Sequence, residues 1–398
     1  MKGLFLLCLA AAGAQAATVS EVAFTQDRRT RDVTVTYQLS NEGAPAYVRM
    51  EVLEDGVCVD DDLVVHAEGD LSQTDGTLVQ DDGAVKTIVW RAAKDLRERV
   101  LTNASVRITA YDSKESAPAV YMKIDVSGGP EAAAFPVTTT FTPPDLASDA
   151  CVSNSIWLRR IEPGTFWMGS PETEAGRNAS RERLHEVTLT RPFYMGIFEV
   201  TRAQYGLVTG RDPGTGKTPL HPVNYIKFND LYGAGRIPSV STAVDAGTFF
   251  DIIRRKTGLL FDLPTDAQWE YACRAGTTSP FNVDTNQVAL TEIVWYNGTA
   301  KAAVQRVGTR TPNNWGLYDM HGNVWEFCRE WLKENLGTEA QRDPITLGVF
   351  GNGVVIRGGG CGEGEINRCR SAWRGWRAVD NLNTAYLVQD GFRLSLTR

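Results

Sequence analysis

The opening third of the chain alternates apolar and polar residues with a period of two, a pattern that no helix satisfies. Val33, Val35, Tyr37 and Leu39 fall on one side of an extended segment, and Val48, Met50 and Val52 on one side of another. Successive side chains of a strand point to opposite faces, so each set marks the buried side of a strand. The spacing returns in Thr87-Ile88-Val89-Trp90, in Val106/Ile108/Ala110 and in Val120/Met122/Ile124/Val126. Glu54-Asp55-Gly56 and Asp81-Asp82-Gly83 supply turns between them. Short strands at this spacing predict an all-β antiparallel sandwich, immunoglobulin- or fibronectin-like, over residues 17–126. This module carries no cluster of His, Cys or carboxylate groups, which gives it a structural or adhesive role.

A chain of 398 residues is too long for one ordinary core, so a second domain is expected. The first residues, MKGLFLLCLAAAGAQAA, join one lysine, an apolar stretch and a small-x-small site at Ala14-Gln15-Ala16. That predicts a secretory signal peptide over residues 1–16 and a secreted or periplasmic mature chain. No later apolar run approaches the roughly 20 residues that cross a bilayer. The net charge of −7 speaks against nucleic acid or an anionic membrane surface as partner. Residues 127–154, which open SGGPEAAAFPVTTTFTPP, are rich in Pro, Ala and Thr without periodicity and are expected to be a linker.

Residues 155–398 mix short strands, long loops and a few helices, an α+β composition. Thr201-Arg202-Ala203-Gln204 and Thr265-Asp266-Ala267-Gln268 are capping boxes that open helices. Phe249, Ile252 and Ile253 give residues 245–256 a helical spacing. Beyond the signal stand six cysteines, at 58, 151, 273, 328, 361 and 369. An even number in an oxidising compartment favours disulfides, with connectivity open.

Seven segments then occur in one order: IEPGTFWMGS (161–170), HEVTLTRPFYMGIFEVTRAQY (185–205), LPTDAQWEYACRAG (263–276), NNWGLYDMHGNVWEF (313–327), RGG at 357, CRSAWR at 369 and GFRL at 391. They resemble the formylglycine-generating enzyme (sulfatase-modifying factor) domain family across about residues 155–398. The resemblance implies an irregular C-type-lectin-like fold. A sandwich joined to such a domain also resembles exported bacterial proteins of that family.

The family mixes oxidases, iron enzymes and ligand-binding proteins. Its formylglycine generators hold copper in a Cys-x4-Cys pair after the Gly-Gly segment, and thiolates suit Cu(I). Here Cys361 and Cys369 form a Cys-x7-Cys pair, a departure that argues against copper and leaves them a weak redox candidate. The iron branch needs a His-x3-His-x-Glu set, whereas His66, His185, His221 and His321 are all far apart. The resemblance instead implies a structural disulfide between Cys273 and Cys369, with Cys328 as competitor for Cys369. It also implies a structural calcium ion held by Asn323, Val324 and Glu326, oxygen ligands suited to a hard cation. The alternative for Glu326 is an ion pair with Arg357 or Arg393. The glycines of RGGGCGEG lack phosphate-loop spacing and are expected to allow close backbone approach. The expected function is a non-catalytic exported module binding a protein, peptide or glycan. The competing expectation is a divergent copper-dependent protein-cysteine oxidase.

Overall fold

The structure is a computed structural model. It describes residues 17–397 apart from 55–56, 59–63, 65, 74–76, 97–100, 102, 114–118, 213–217, 234–242, 283–289, 347–352 and 379–388. The expected signal peptide lies outside the described residues. The chain forms two compact units that meet at Ala119/Val120.

In the first unit, one antiparallel sheet runs in the order Thr18–Gln26, Val33–Ser40, Lys86–Trp90, Ala67–Gly69. A second runs Val57–Cys58, Tyr47–Glu54, Ala104–Tyr111. The alternating residues face one shared core: Val35, Tyr37 and Ile88 from the first sheet, Val48, Met50 and Ile108 from the second. Tyr37 reaches out of that core through its hydroxyl, which donates to the Asp70 carbonyl.

The fourth alternating run belongs elsewhere. Tyr121–Asp125 was expected to close the sandwich but pairs antiparallel with Ser155–Ile161, Ile124 opposite Ile156. It is the fourth strand of a sheet ordered Ser395–Thr397, Phe193–Gly196, Ser155–Ile161, Tyr121–Asp125, Val137–Thr140. The expected linker is likewise part of the second unit. Val137–Thr140 pairs with Tyr121–Asp125, Ala150–Ser153 is helical, and Phe135 is buried under the Lys256 ammonium, 4.5 Å from its ring centroid. A four-residue strand is too short to show a period, so its Pro- and Thr-rich surroundings decide how the sequence reads.

Both capping boxes form. Thr201 Oγ1 accepts from the Gln204 amide while the Gln204 side chain accepts from the Thr201 amide, and Thr265 and Gln268 do the same. The helix Phe249–Thr257 starts at the Thr248 cap and buries Phe249, Phe250 and Ile253 against Phe392 and Tyr232. A four-stranded sheet, ordered Gly375–Arg377, Val354–Arg357, Trp325–Trp331, Asp390–Gly391, carries the residues of interest. The helix Asp266–Arg274 contacts its two central strands.

Candidate functional site

The strand Trp325–Trp331 threads a carboxylate through an apolar interior, and the fold supplies its partner from 67 residues away. Arg393 donates through Nε and Nη2 to the two oxygens of Glu326, each at 2.6 Å, and Trp269 Nε1 adds a third donor at 2.8 Å. Of the two readings of Glu326, the ion pair is the one formed. Asn323, the other side chain of the expected calcium set, is also committed. Asn323 Oδ1 accepts from the Gln305 amide at 2.8 Å, its Nδ2 donates to Glu199, and the Val324 amide donates to the other Glu199 oxygen. The side-chain oxygens of Asn323 and Glu326 are therefore taken by protein donors, so neither side chain is arranged to ligate a calcium ion. Among the described residues, no group of three or more His, Cys, Asp or Glu side chains is placed to hold a metal.

Sequence reading missed the company Glu326 keeps. Glu199 and Asp319 are both buried beside it, so three carboxylates share Arg393 as a buried counter-charge. Burial and the neighbouring acids push Glu199 well above the usual carboxylate range, and burial pushes Asp319 up to about 6. Asp319 Oδ2 accepts from the Gly308 amide, while its Oδ1 has no partner. The available signal was the acid inside an apolar run, as in Phe198-Glu199-Val200, since buried carboxylates require partners.

A second charged core lies along the helix Asp266–Arg274. Asp266 receives Arg357 on one oxygen and Arg374 on the other, at 2.5 and 2.7 Å. Glu270 receives Arg357 and Arg274 at 2.9 and 2.8 Å. Arg370, from the CRSAWR segment, binds Glu182 with both terminal nitrogens. These motif arginines hold loops together from within.

The thiols are placed for packing. Cys151, Cys273, Cys328, Cys361 and Cys369 are buried and free, so the disulfide between Cys273 and Cys369 is not formed. Its two segments are joined through His321 instead. Nδ1–H donates to the Cys369 carbonyl at 2.7 Å, and Nε2 accepts from the Asn282 amide and faces Cys273 Sγ at 3.9 Å. Burial pulls the His321 imidazole down to about 4, which fits that neutral tautomer. Gly359, at φ +81°, lets the backbone pass Cys369, because a Cβ there would lie 2.5 Å from its sulfur. That is the close approach expected of the glycine run.

Burial and the charge of Glu199 push the Cys361 thiol up to about 12; burial, Glu363 and Cys361 itself raise Cys369 further. The segment between them folds back far enough for Cys369 to feel Cys361, yet both sit in an acidic, apolar setting. Thiolates form where positive charge surrounds them. Among the described residues, neither Cys361 nor Cys369 has a cation beside it that would favour its thiolate. Trp325, beside them, donates to Glu363 at 3.0 Å, and Arg377 binds Asp390 while its guanidinium lies 5.9 Å from the Trp325 ring. Iodoacetamide is expected to leave Cys273, Cys328, Cys361 and Cys369 unmodified in the native protein and to alkylate all four in unreduced denaturant. Peptide mapping that finds any of them oxidised overturns this placement.

Residues 147–396 match the family described as the sulfatase-modifying factor enzyme 1-like domain. The chain belongs to that family. The formylglycine-generating enzyme of Thermomonospora curvata is 30% identical over 197 residues, 42% of this chain and 55% of the relative. That of Streptomyces coelicolor is 31% identical over 189 residues, 44% and 51% of the two chains. The chaperone protein LppX of Paenibacillus barcinonensis is 29% identical over 180 residues, 36% and 64%. The chain thus spans about half to just under two-thirds of the length of these relatives. PvdO from Pseudomonas aeruginosa superposes with a TM-score of 0.51 at 23% identity, covering 61% of this chain and 94% of PvdO. That likeness supports the α+β fold of the sulfatase-modifying-factor-like domain.

Proposed function

We propose that this chain is an exported binding module in which the sulfatase-modifying-factor-like domain, with a C-type-lectin-like fold, has kept its scaffold and lost the oxidase chemistry. Residues 1–16 act as the export signal, and the N-terminal module, of immunoglobulin or fibronectin type, serves as spacer or adhesive element. The observation that carries the reading is the setting of Cys361 and Cys369. Burial raises both thiols, helped by Glu199 and Glu363 at Cys361 and by Glu363 at Cys369. Among the described residues, no cation beside either favours the thiolate that activates a cysteine.

The test is incubation of purified, copper-loaded protein with a Cys-x-Pro-x-Arg peptide under oxygen. No aldehyde product is expected by mass spectrometry. Turnover that disappears in both Cys361→Ser and Cys369→Ser would make the chain an oxidase.

A further inference from the structure

A groove of about 380 Å³ opens in the second unit between the strand His185–Leu189, the start of the helix Asp266–Arg274 and the C-terminal strand Ser395–Thr397. That volume falls within the usual range of small-molecule sites, roughly 300–1,000 Å³. One wall is apolar: Leu189, Ile345 and Leu260, the last 64% exposed and the most open of the large hydrophobic residues described. The polar side is unbalanced in a telling way.

Both acids in the groove are spent. Asp262 accepts from the Leu263 amide and the Tyr232 hydroxyl on one oxygen and meets Arg254 and Arg329 on the other. Asp343 accepts from the amide and hydroxyl of Thr190. The donors are not all spent. Among the described residues, Arg191 lines the groove without a hydrogen bond or ion pair. Ser395, 2% exposed, also lines it, and its hydroxyl has no partner. An uncommitted guanidinium fork, a buried hydroxyl lacking a partner and an adjacent apolar wall describe a site short of one anion with an apolar body.

We infer that this groove binds a carboxylate attached to an apolar group, as presented by a peptide ending in an apolar residue. Arg191 takes the carboxylate bidentately. Ser395 Oγ–H donates to one of its oxygens, and the side chain lies on Leu189, Leu260 and Ile345. Capture of a terminal carboxylate by preset donors is an established mode of peptide recognition. The inference rests on the reading of the domain as a binding module and gives that reading a ligand class.

Isothermal titration of the full chain with N-acetyl-leucine tests it. Saturable binding is expected, with N-acetyl-leucinamide at least tenfold weaker because the amide carries no charge for Arg191. Arg191→Ala should weaken N-acetyl-leucine at least tenfold and Arg191→Lys less. Since Arg191 is exposed and unpaired, both variants should melt as the parent does. Equal binding of acid and amide, indifference to Arg191→Ala, or no saturable binding overturns the site. Inorganic phosphate binding as tightly as N-acetyl-leucine overturns the apolar part of the assignment. Failure here with no formylglycine formed sinks the groove alone, whereas formylglycine turnover sinks the binding-module reading.

Discussion

Arg393→Ala should destabilise the second unit by about 3–5 kcal/mol, the range for breaking a buried ion pair from one side. The loss is large because Arg393, fully buried, does more than neutralise Glu326. It also donates to the carbonyls of Gly196 and Tyr318, both at 3.0 Å, and its charge offsets Glu199 and Asp319. Removal leaves three buried carboxylates beside one another and two carbonyls short of a donor. Glu326→Ala should cost less than Arg393→Ala, because the arginine keeps its carbonyls and two other acids. Nine of the ten tryptophans lie beyond residue 119, so tryptophan fluorescence in a urea titration reports this unit. A loss for Arg393→Ala below about 1 kcal/mol, the worth of an exposed pair, rejects the assignment. So does a wild-type melting temperature that falls in chelator and recovers with calcium, since Glu326 would then be a ligand.

Between pH 5 and pH 7 the second unit should lose stability, against the usual behaviour of acidic proteins. Burial holds the Glu330 carboxyl up to about 7 and those of Asp319 and Asp390 up to about 6. Each ionises more readily in the unfolded chain. The folded state therefore binds more protons in this window, and stability falls as pH rises. His321, lowered to about 4, and His221, also lowered, oppose this below about 6.5, but the raised acids outnumber them. Asp266, held below the usual range by Arg357 and Arg374, adds a loss only on the acid side. Between pH 5 and pH 7 Glu330 alone accounts for a loss on the order of 2 kcal/mol. Glu330→Gln should flatten the profile of melting temperature against pH. It should also cost about 1 kcal/mol at pH 5, because its two oxygens accept from the Asp266 and Thr346 amides and glutamine keeps one acceptor. A wild-type profile flat or rising from pH 5 to 7, or an unchanged slope in the variant, contradicts this.

The sequence revealed faces more readily than partners. Val33, Val35, Tyr37 and Leu39 are all buried as their spacing requires. Met122, Ile124 and Val126 are buried too, but in the other unit, because alternation states which side is covered and not which strand lies alongside. Capping boxes were readable because both halves sit within four residues. Glu326 was identified as a carboxylate needing compensation, yet choosing among calcium, Arg357 and Arg393 depends on a contact 67 residues away. The cysteines failed for the same reason. Their even number fits a compartment, whereas the His321 imidazole that bridges Cys273 and the Cys369 carbonyl is visible only in three dimensions. The groove at Arg191 left no trace in the sequence, since its distinguishing property is the lack of a partner.

The five-stranded sheet of the second unit sets a waiting time during synthesis. Phe193 faces Thr397 across the sheet, and 397 − 193 is 204 residues of separation. At about 5–20 residues per second, a ribosome delivers the outer strand roughly 10–40 s after the inner one. Throughout that interval Phe193–Gly196 has one open edge, and its apolar Phe193 and Met195 lack their final neighbour. Nascent chains stalled before residue 395 should therefore engage holding chaperones and stay open to proteolysis, whereas the full chain resists it once released.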